Sequence, residues 1–302
     1  MKKTDILSLF LGALVLGGCE ETIHPTLQSA NPVLVVDAFI TNKLQTQIVS
    51  LTYSQPYFQE QLPPGVSGAT VSIKDNEGNT YVFSESPTTA GSYEWTPSGT
   101  GFGNVGNVYT LSIAVNGQNL TAQAKMGRVP KVDSITFKQN GGSGREKNFY
   151  RGQFWATDPV GPGDTYWIKA YKNGVFLDKP SEVNLAYDAG LSEGSDFDGV
   201  QFIQPIRNGI NPDTTDVNNN PVSPYSPGDS VYVEINSLML ASFDFLTQVV
   251  TQTNRPGGFS ELFATPLANV STNIVNENSN GIVVVGFFNV ASVSGLGKRF
   301  VN

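Results

Sequence analysis

From Pro32 onward the chain alternates apolar and polar positions with a period of two, in the segments PVLVVDAF, TQIVSLTY, GATVSIKD, TYVFSES, GSYEWT, VYTLSIAV and LTAQAK. Alternation sends one set of side chains to one face, and Gly, Asn and Pro at each end stop the run, so the segments predict seven short strands in two packed sheets. Asp75-Asn76-Glu77-Gly78 marks a hairpin tip. Asn116-Gly117 predicts a type I′ turn, because both central positions of that turn need positive φ. Pro130 interrupts the pattern near residues 127–131 and divides the chain into a first unit, 32–127, and a second, 128–302. In the second unit VDSITFKQ, NFYRGQFWATD, DTYWIKAYKNGVFL, GVQFIQPI and DSVYVEIN read as strands, with Asn173-Gly174 as another hairpin turn. Residues 237–250 depart from the period of two. Met239, Phe243, Leu246 and Val250 fall on one stripe of an amphipathic helix packed on the second sheet. Phe259 to Ala264 allows one or two helical turns, and the near-continuous apolar run from Gly281 to Val293 predicts a strand buried on both faces. The expected fold is mainly β: two sandwich-like units, the second carrying one helix.

Ahead of these units, Lys2 and Lys3 precede an apolar stretch from Ile6 to Leu16 that is too short to span a bilayer stably, the pattern of a secretory signal over residues 1–18. The run Leu16-Gly17-Gly18-Cys19 resembles the bacterial lipobox. That resemblance implies a covalent lipid on Cys19, with a second acylation such as palmitate making the anchor durable. Glu20 and Glu21 resemble the acidic signal that exports Bacteroidota lipoproteins to the cell surface; the alternative is the periplasmic leaflet of the outer membrane. Residues 19–31 are polar, contain Pro25 and the sole His, His24, and read as a flexible tether.

Composition narrows the chemistry. The 302 residues carry 18 basic and 26 acidic side chains, a net charge of −8, which argues against nucleic acid as a partner. One Cys and one His exclude an internal disulfide and a zinc cage of mixed His and Cys ligands. Gly101-Phe-Gly103-Asn-Val-Gly106 fits a dinucleotide fingerprint but is followed by a strand where a helix is needed. Gly190-Leu-Ser192-Glu-Gly194 fits a nucleophile elbow but has no His downstream. No catalytic residue is assigned, and no cofactor beyond the lipid. The acidic residues Glu182, Asp188, Glu193, Asp196 and Asp198 leave two weaker expectations, a carboxylate-based hydrolase and calcium held by Asp196 and Asp198.

Two long loops stand out, the acidic, Gly-rich 188–199 and the Asn- and Pro-rich 207–229. Prolines limit the conformations of the second loop, so it is expected to form a semi-ordered contact surface through Asn208, Asn218, Asn219, Asn220 and Tyr225. Tyr57, Phe58, Tyr187 and Tyr225 are aromatic candidates for a ligand surface, whereas Trp155 and Trp167, on strands, are read as core. Asp133-Ser134-Ile135, Asp213-Thr214-Thr215 and Asp229-Ser230-Val231 resemble O-glycosylation acceptors, placing sugars on Ser134, Thr214 and Ser230.

GATVSIKDNEGNTYVF followed by GSYEW resembles the prealbumin-like sandwich of carboxypeptidase regulatory domains, a module without activity of its own. Further on come YSPGDSVYVE, the helix Phe243 to Val250, the linker TPLANVSTNI and the strand VGFFNVAS. Their order is similar to that of a Bacteroidota lipoprotein family described as domain of unknown function 4249. The likeness implies an accessory, non-catalytic lipoprotein of TonB-dependent outer-membrane transporters. A direct binder of a peptide, glycan or metal complex is the alternative.

Overall fold

The computed structural model describes residues 31–301 apart from 57–58, 142–143, 145, 195, 256, 265 and 267. Cys19, Glu20, Glu21, His24, Tyr57 and Phe58 lie outside the described residues. Pro32–Asn302 forms one compact unit. Its first strands are β1 (Leu34–Thr41), β2 (Gln47–Tyr53), β3 (Thr70–Asp75), β4 (Thr80–Glu85), β5 (Ser92–Trp95), β6 (Val108–Val115) and β7 (Gln118–Lys125). There follow β8 (Ser134–Gln139), β9 (Tyr150–Trp155), β10 (Thr165–Lys172), β11 (Val175–Phe176) and β12 (Asn184–Tyr187). Helix α1 (Gln204–Asn208), β13 (Ser230–Leu238), helix α2 (Leu240–Thr253), β14 (Val275–Asn276), β15 (Val284–Ala291) and β16 (Val293–Arg299) complete the order.

The seven strands expected before residue 127 all form. The period of two does what it predicts in β1, where Leu34, Val36, Ala38 and Ile40 are fully or almost fully buried and Val35, Asp37 and Phe39 point the other way. Burying a side chain of this size stabilises by about 1.5–3 kcal/mol, and the first core also takes Tyr93, Phe102 and Tyr109. Both Asn-Gly turns have positive φ at both positions, 49° and 74° at 116–117 and 51° and 82° at 173–174.

The sheets, however, do not divide at residue 127. The large sheet runs β14-β7-β6-β3-β4-β5-β2-β1-β15, so its two edge strands come from beyond that point. Strand β15 pairs in parallel with β1 over eight positions, Leu34 opposite Val284 through Thr41 opposite Ala291. Ile274, Val284, Phe288 and Val290 thereby enter the first core. At the other edge Asn273 draws β7 and β15 together. Its amide donates to the carbonyls of Gln123 (3.4 Å) and Phe288 (2.8 Å), and its oxygen accepts the Phe288 N–H at 2.9 Å. The sheet is thus nearly closed on itself.

The second sheet runs β11-β10-β13-β16 with β12 also on β10, and β8 pairs with β9. After Ala291 the chain crosses from one sheet to the other: β15 belongs to the first, and β16 pairs antiparallel with β13 in the second. Ser292, at the crossing, donates its N–H to Ser237 Oγ (2.9 Å) and its hydroxyl to the Gly127 carbonyl (2.6 Å).

Two expected elements shift. GVQFIQPI is not a strand: Gln201 makes a single bridge to Thr157, and α1 follows, with Pro205 in its first turn where a missing N–H costs nothing. The helix expected over 237–250 begins at Leu240, because residues 237–238 finish β13 and Met239 is its N-terminal cap. Of the expected stripe, Phe243 is buried, whereas Leu246 and Val250 are only half-buried.

Gly286, on β15, has φ +103°, and a Cβ there would collide with the backbone of Val36. Gly286→Ala is expected to destabilise the fold by roughly 2–4 kcal/mol, read as a lowered midpoint in urea denaturation with an unchanged slope.

Candidate functional site

A strand whose outward face faces water carries polar side chains there, and two strands break that rule. Strand β1 turns Val35, Asp37 and Phe39 outward, and β10 turns Trp167, Lys169 and Tyr171 outward. The outer faces of the two sheets meet across a cleft. Phe39 and Trp167 touch edge to face, 5.4 Å between ring centres at 89°. The Lys169 ammonium sits against both rings, 4.3 Å from the centre of Phe39 and 4.0 Å from that of Trp167.

This aromatic pair separates two hollows. On one side is an apolar cavity of about 320 Å³. Its walls include Phe245, Leu246 and Val249 of α2 and Phe287 of β15, with Phe245 stacked on Phe287 at 4.6 Å. On the other is a polar hollow of about 250 Å³ holding Lys43, Gln47, Lys169 and Glu234. There Lys43 Nζ lies 2.6 Å from Glu234 Oε2, and the Glu234 side chain is 3% exposed.

The charges are poised unevenly. Asp37 stands at the cleft mouth, open to solvent but surrounded by protein, and among the described residues it has neither hydrogen bond nor ion pair. Loss of hydration raises its pKa, and the field of Lys169 opposes the rise. Lys169 is lowered to about 8, chiefly by burial, with Glu234 and Asp37 pulling it back up and Lys43 pushing it further down. The sequence held a signal for this site, since Val35 and Phe39 on β1 and Trp167 and Tyr171 on β10 leave apolar residues on a second face. Trp167, expected in the core, lines the cleft and is half-buried. Trp155 is also outside the second core: its Nε1 donates to Thr136 Oγ1 at 2.9 Å, and Arg207 lies 4.0 Å over its ring.

A second constellation gathers Asp158, Asp188 and Asp198, one oxygen from each lying within 4.8 Å of the others. Sequence spacing pointed to Asp196 and Asp198 for calcium; Asp196 is not one of the three, and Asp158 comes from a different loop. Most inward lone pairs bind the protein. Asp158 accepts from Tyr166 Oη (2.6 Å) and Gly199 N (3.2 Å), Asp188 from Gly163 N (2.8 Å) and Asp164 N (2.9 Å), and Asp198 from Gly161 N (2.8 Å). Arg128 ties the same loops through Asp164 at 2.8 Å and the carbonyls of Pro159 and Gly161. An all-oxygen set of this kind could hold a hard divalent cation. Glu182 lies elsewhere, accepting from Lys179 N and Asp213 N.

The 207–229 loop is more firmly tied than its composition suggests. Tyr225 is 0% exposed in the second core and donates its hydroxyl to the Ile210 carbonyl, so it braces the loop and presents no surface. Asn208 accepts from Gln153 at 2.8 Å, and Asn211 exchanges two bonds with the backbone of Gly152. Asn218 and Asn219 do lie on an exposed tip, where Asp216 Oδ1 accepts the N–H groups of Asn218 (2.8 Å) and Asn220 (2.9 Å). Of the three acceptor positions for sugars, Ser134 is exposed, Thr214 is half-buried, and Ser230 is half-buried and bonded to Asn173.

Asp158 supplies a test of the acidic cluster. Burial raises its pKa to about 6, with Asp164 and Asp188 adding to the rise and Tyr166 and Gly199 reducing it. The folded state therefore holds this proton more tightly than the unfolded chain does, so the contribution is present below the ordinary carboxylate value of 3.8 and is lost as pH rises through about 6. The melting temperature is expected to rise as pH is lowered from 7 to 5. Asp37 and Asp164 are shifted the same way, so Asp158→Asn should reduce this slope without abolishing it, as read by calorimetry at several pH values.

The cleft and the cluster both lie within one continuous family match. The model described as "Domain of unknown function (DUF4249)" covers residues 20–295, from the tether into β16. No curated protein gives a significant match. With more than half of its length matched, the chain belongs to the family of domain of unknown function 4249.

Proposed function

We propose that this protein is a lipid-anchored lipoprotein of the outer membrane, displayed on the cell surface, that acts by non-catalytic binding as an accessory to a transporter of the TonB-dependent kind. The observation that carries the binding reading is the cleft between the two sheets, with its apolar cavity and unpaired Asp37. The signal pattern and Cys19 support the address. Confinement to the membrane plane raises the effective concentration of the protein around a membrane partner, so a modest interface suffices for occupancy. In this reading the cleft handles a small ligand and the exposed 216–219 tip meets the partner, which joins the accessory and direct-binder alternatives in one molecule.

Two outcomes are expected. Cys19→Ser should move the folded protein from the membrane fraction to the soluble one; retention in the membrane fraction after a high-salt wash would remove the anchor from the account. The interface is tested at the tip alone, because replacing the whole 208–226 stretch would also delete Tyr225 and Asn211 from their bracing positions. Exchanging residues 216–220 for a Gly-Ser segment of equal length should leave the melting temperature within about 3 °C and abolish co-purification of the partner from mild detergent.

A further inference from the structure

The cavity wall bears three polar side chains, Asp37, Ser242 and Asn289. Two of them are spent on the protein. Ser242 Oγ donates to Asn289 Oδ1 at 2.7 Å, the Met239 N–H reaches the same oxygen at 3.3 Å, and Asn289 Nδ2 donates to the Ser237 carbonyl at 3.3 Å. Asp37 alone among the three has no partner among the described residues. The nearest cation does not serve it: the Lys169 ammonium is held on the faces of Phe39 and Trp167 and makes no ion pair with Asp37. An unpaired carboxylate on an otherwise apolar wall calls for a ligand that brings a donor to it.

We infer that the cavity takes a small molecule with an apolar body and one ammonium head, the ammonium pairing with the Asp37 carboxylate. This rests on the reading of the cleft as a binding site. The volume, about 320 Å³, lies at the lower end of the range for small-molecule sites. Phe245, Leu246, Val249 and Phe287 supply the apolar wall. A neutral apolar guest would leave the carboxylate partly desolvated and unpaired, and an anionic one would add repulsion, so the carboxylate selects among guests of equal size.

The test uses the full chain carrying Cys19→Ser, so that no detergent competes for the apolar wall, in isothermal titration calorimetry at pH 7. The probes are 2-phenylethylamine, 2-phenylethanol and 3-phenylpropionate, which share an apolar body and differ in the charge of the head. The amine is expected to bind at least tenfold tighter than the alcohol, with the anion weakest. Asp37→Asn should bring the amine down to the level of the alcohol, and Leu246→Trp, which fills the cavity, should weaken all three. The comparison of probes on the unsubstituted cavity stands even if a variant folds poorly. Equal affinity for amine and alcohol would overturn the inference and leave an apolar binding cleft. Preference for the anion would overturn it in favour of Lys169 as the head-group partner. Absence of binding by any probe at millimolar concentration would overturn both the inference and the binding reading.

Discussion

One continuous stretch of chain, residues 284–299, is a strand of both sheets, and the cleft depends on that sharing. Its first half pairs with β1 and its second with β13, and the change of sheet occurs at Ser292. Asn42 clasps the crossing from the first sheet: its N–H donates to the Ala291 carbonyl and its side-chain oxygen accepts the Val293 N–H, each at 3.0 Å. Ser237 clasps it from the second sheet. Each such bond contributes only about 0.5–1.5 kcal/mol net; together they fix the angle at which two β faces meet. Asn289 on the same strand seats α2 through Ser242. The helix wall of the cavity and the sheet wall are therefore positioned by one element.

The charged side of the cleft adds little net stability. Lys43 and Glu234 are 191 residues apart in sequence and join the two sheets at 2.6 Å. Bringing Glu234 to 3% exposure costs hydration that the pairing roughly offsets, so the net contribution is small, but removing Lys43 would strand the buried Glu234 carboxylate. Lys169 meets the same problem differently, with ring faces in place of a carboxylate. Such an arrangement holds its side chains in place before any ligand arrives, which lowers the ordering cost of binding.

Local chemistry made the first seven strands, both Asn-Gly turns and the helix legible in the sequence, because period and turn type act over a few residues. The parallel pairing of β1 with β15 was not legible: partners some 250 residues apart leave no local pattern. What was visible was that Gly281 to Val293 is apolar on both sides, and β15, with the first core on one face and α2 on the other, shows why. The 207–229 loop misled by composition. Its Asn and Pro content reads as exposed, yet Tyr225 and Asn211 tie its base to β9 and the second core, leaving a short tip. The acidic cluster joins Asp158 to residues from later loops, so no spacing rule could find it. The cleft could have been found, since Asp37 and Lys169 each interrupt an apolar pattern on a face where water was expected.

Trp167 reports directly on whether the cleft is the place where a ligand binds. The chain has three Trp residues, at 95, 155 and 167, and Trp95 lies in the Tyr81–Phe102 ring cluster of the first core while Trp155 is stacked by Arg207. With Trp95 and Trp155 replaced by Phe, saturation with a bound small molecule should shift or quench the emission of Trp167, and a companion variant that keeps only Trp155 should show no change. An identical response in both variants, or a silent Trp167 alongside binding measured by calorimetry, would place the ligand elsewhere and contradict the account.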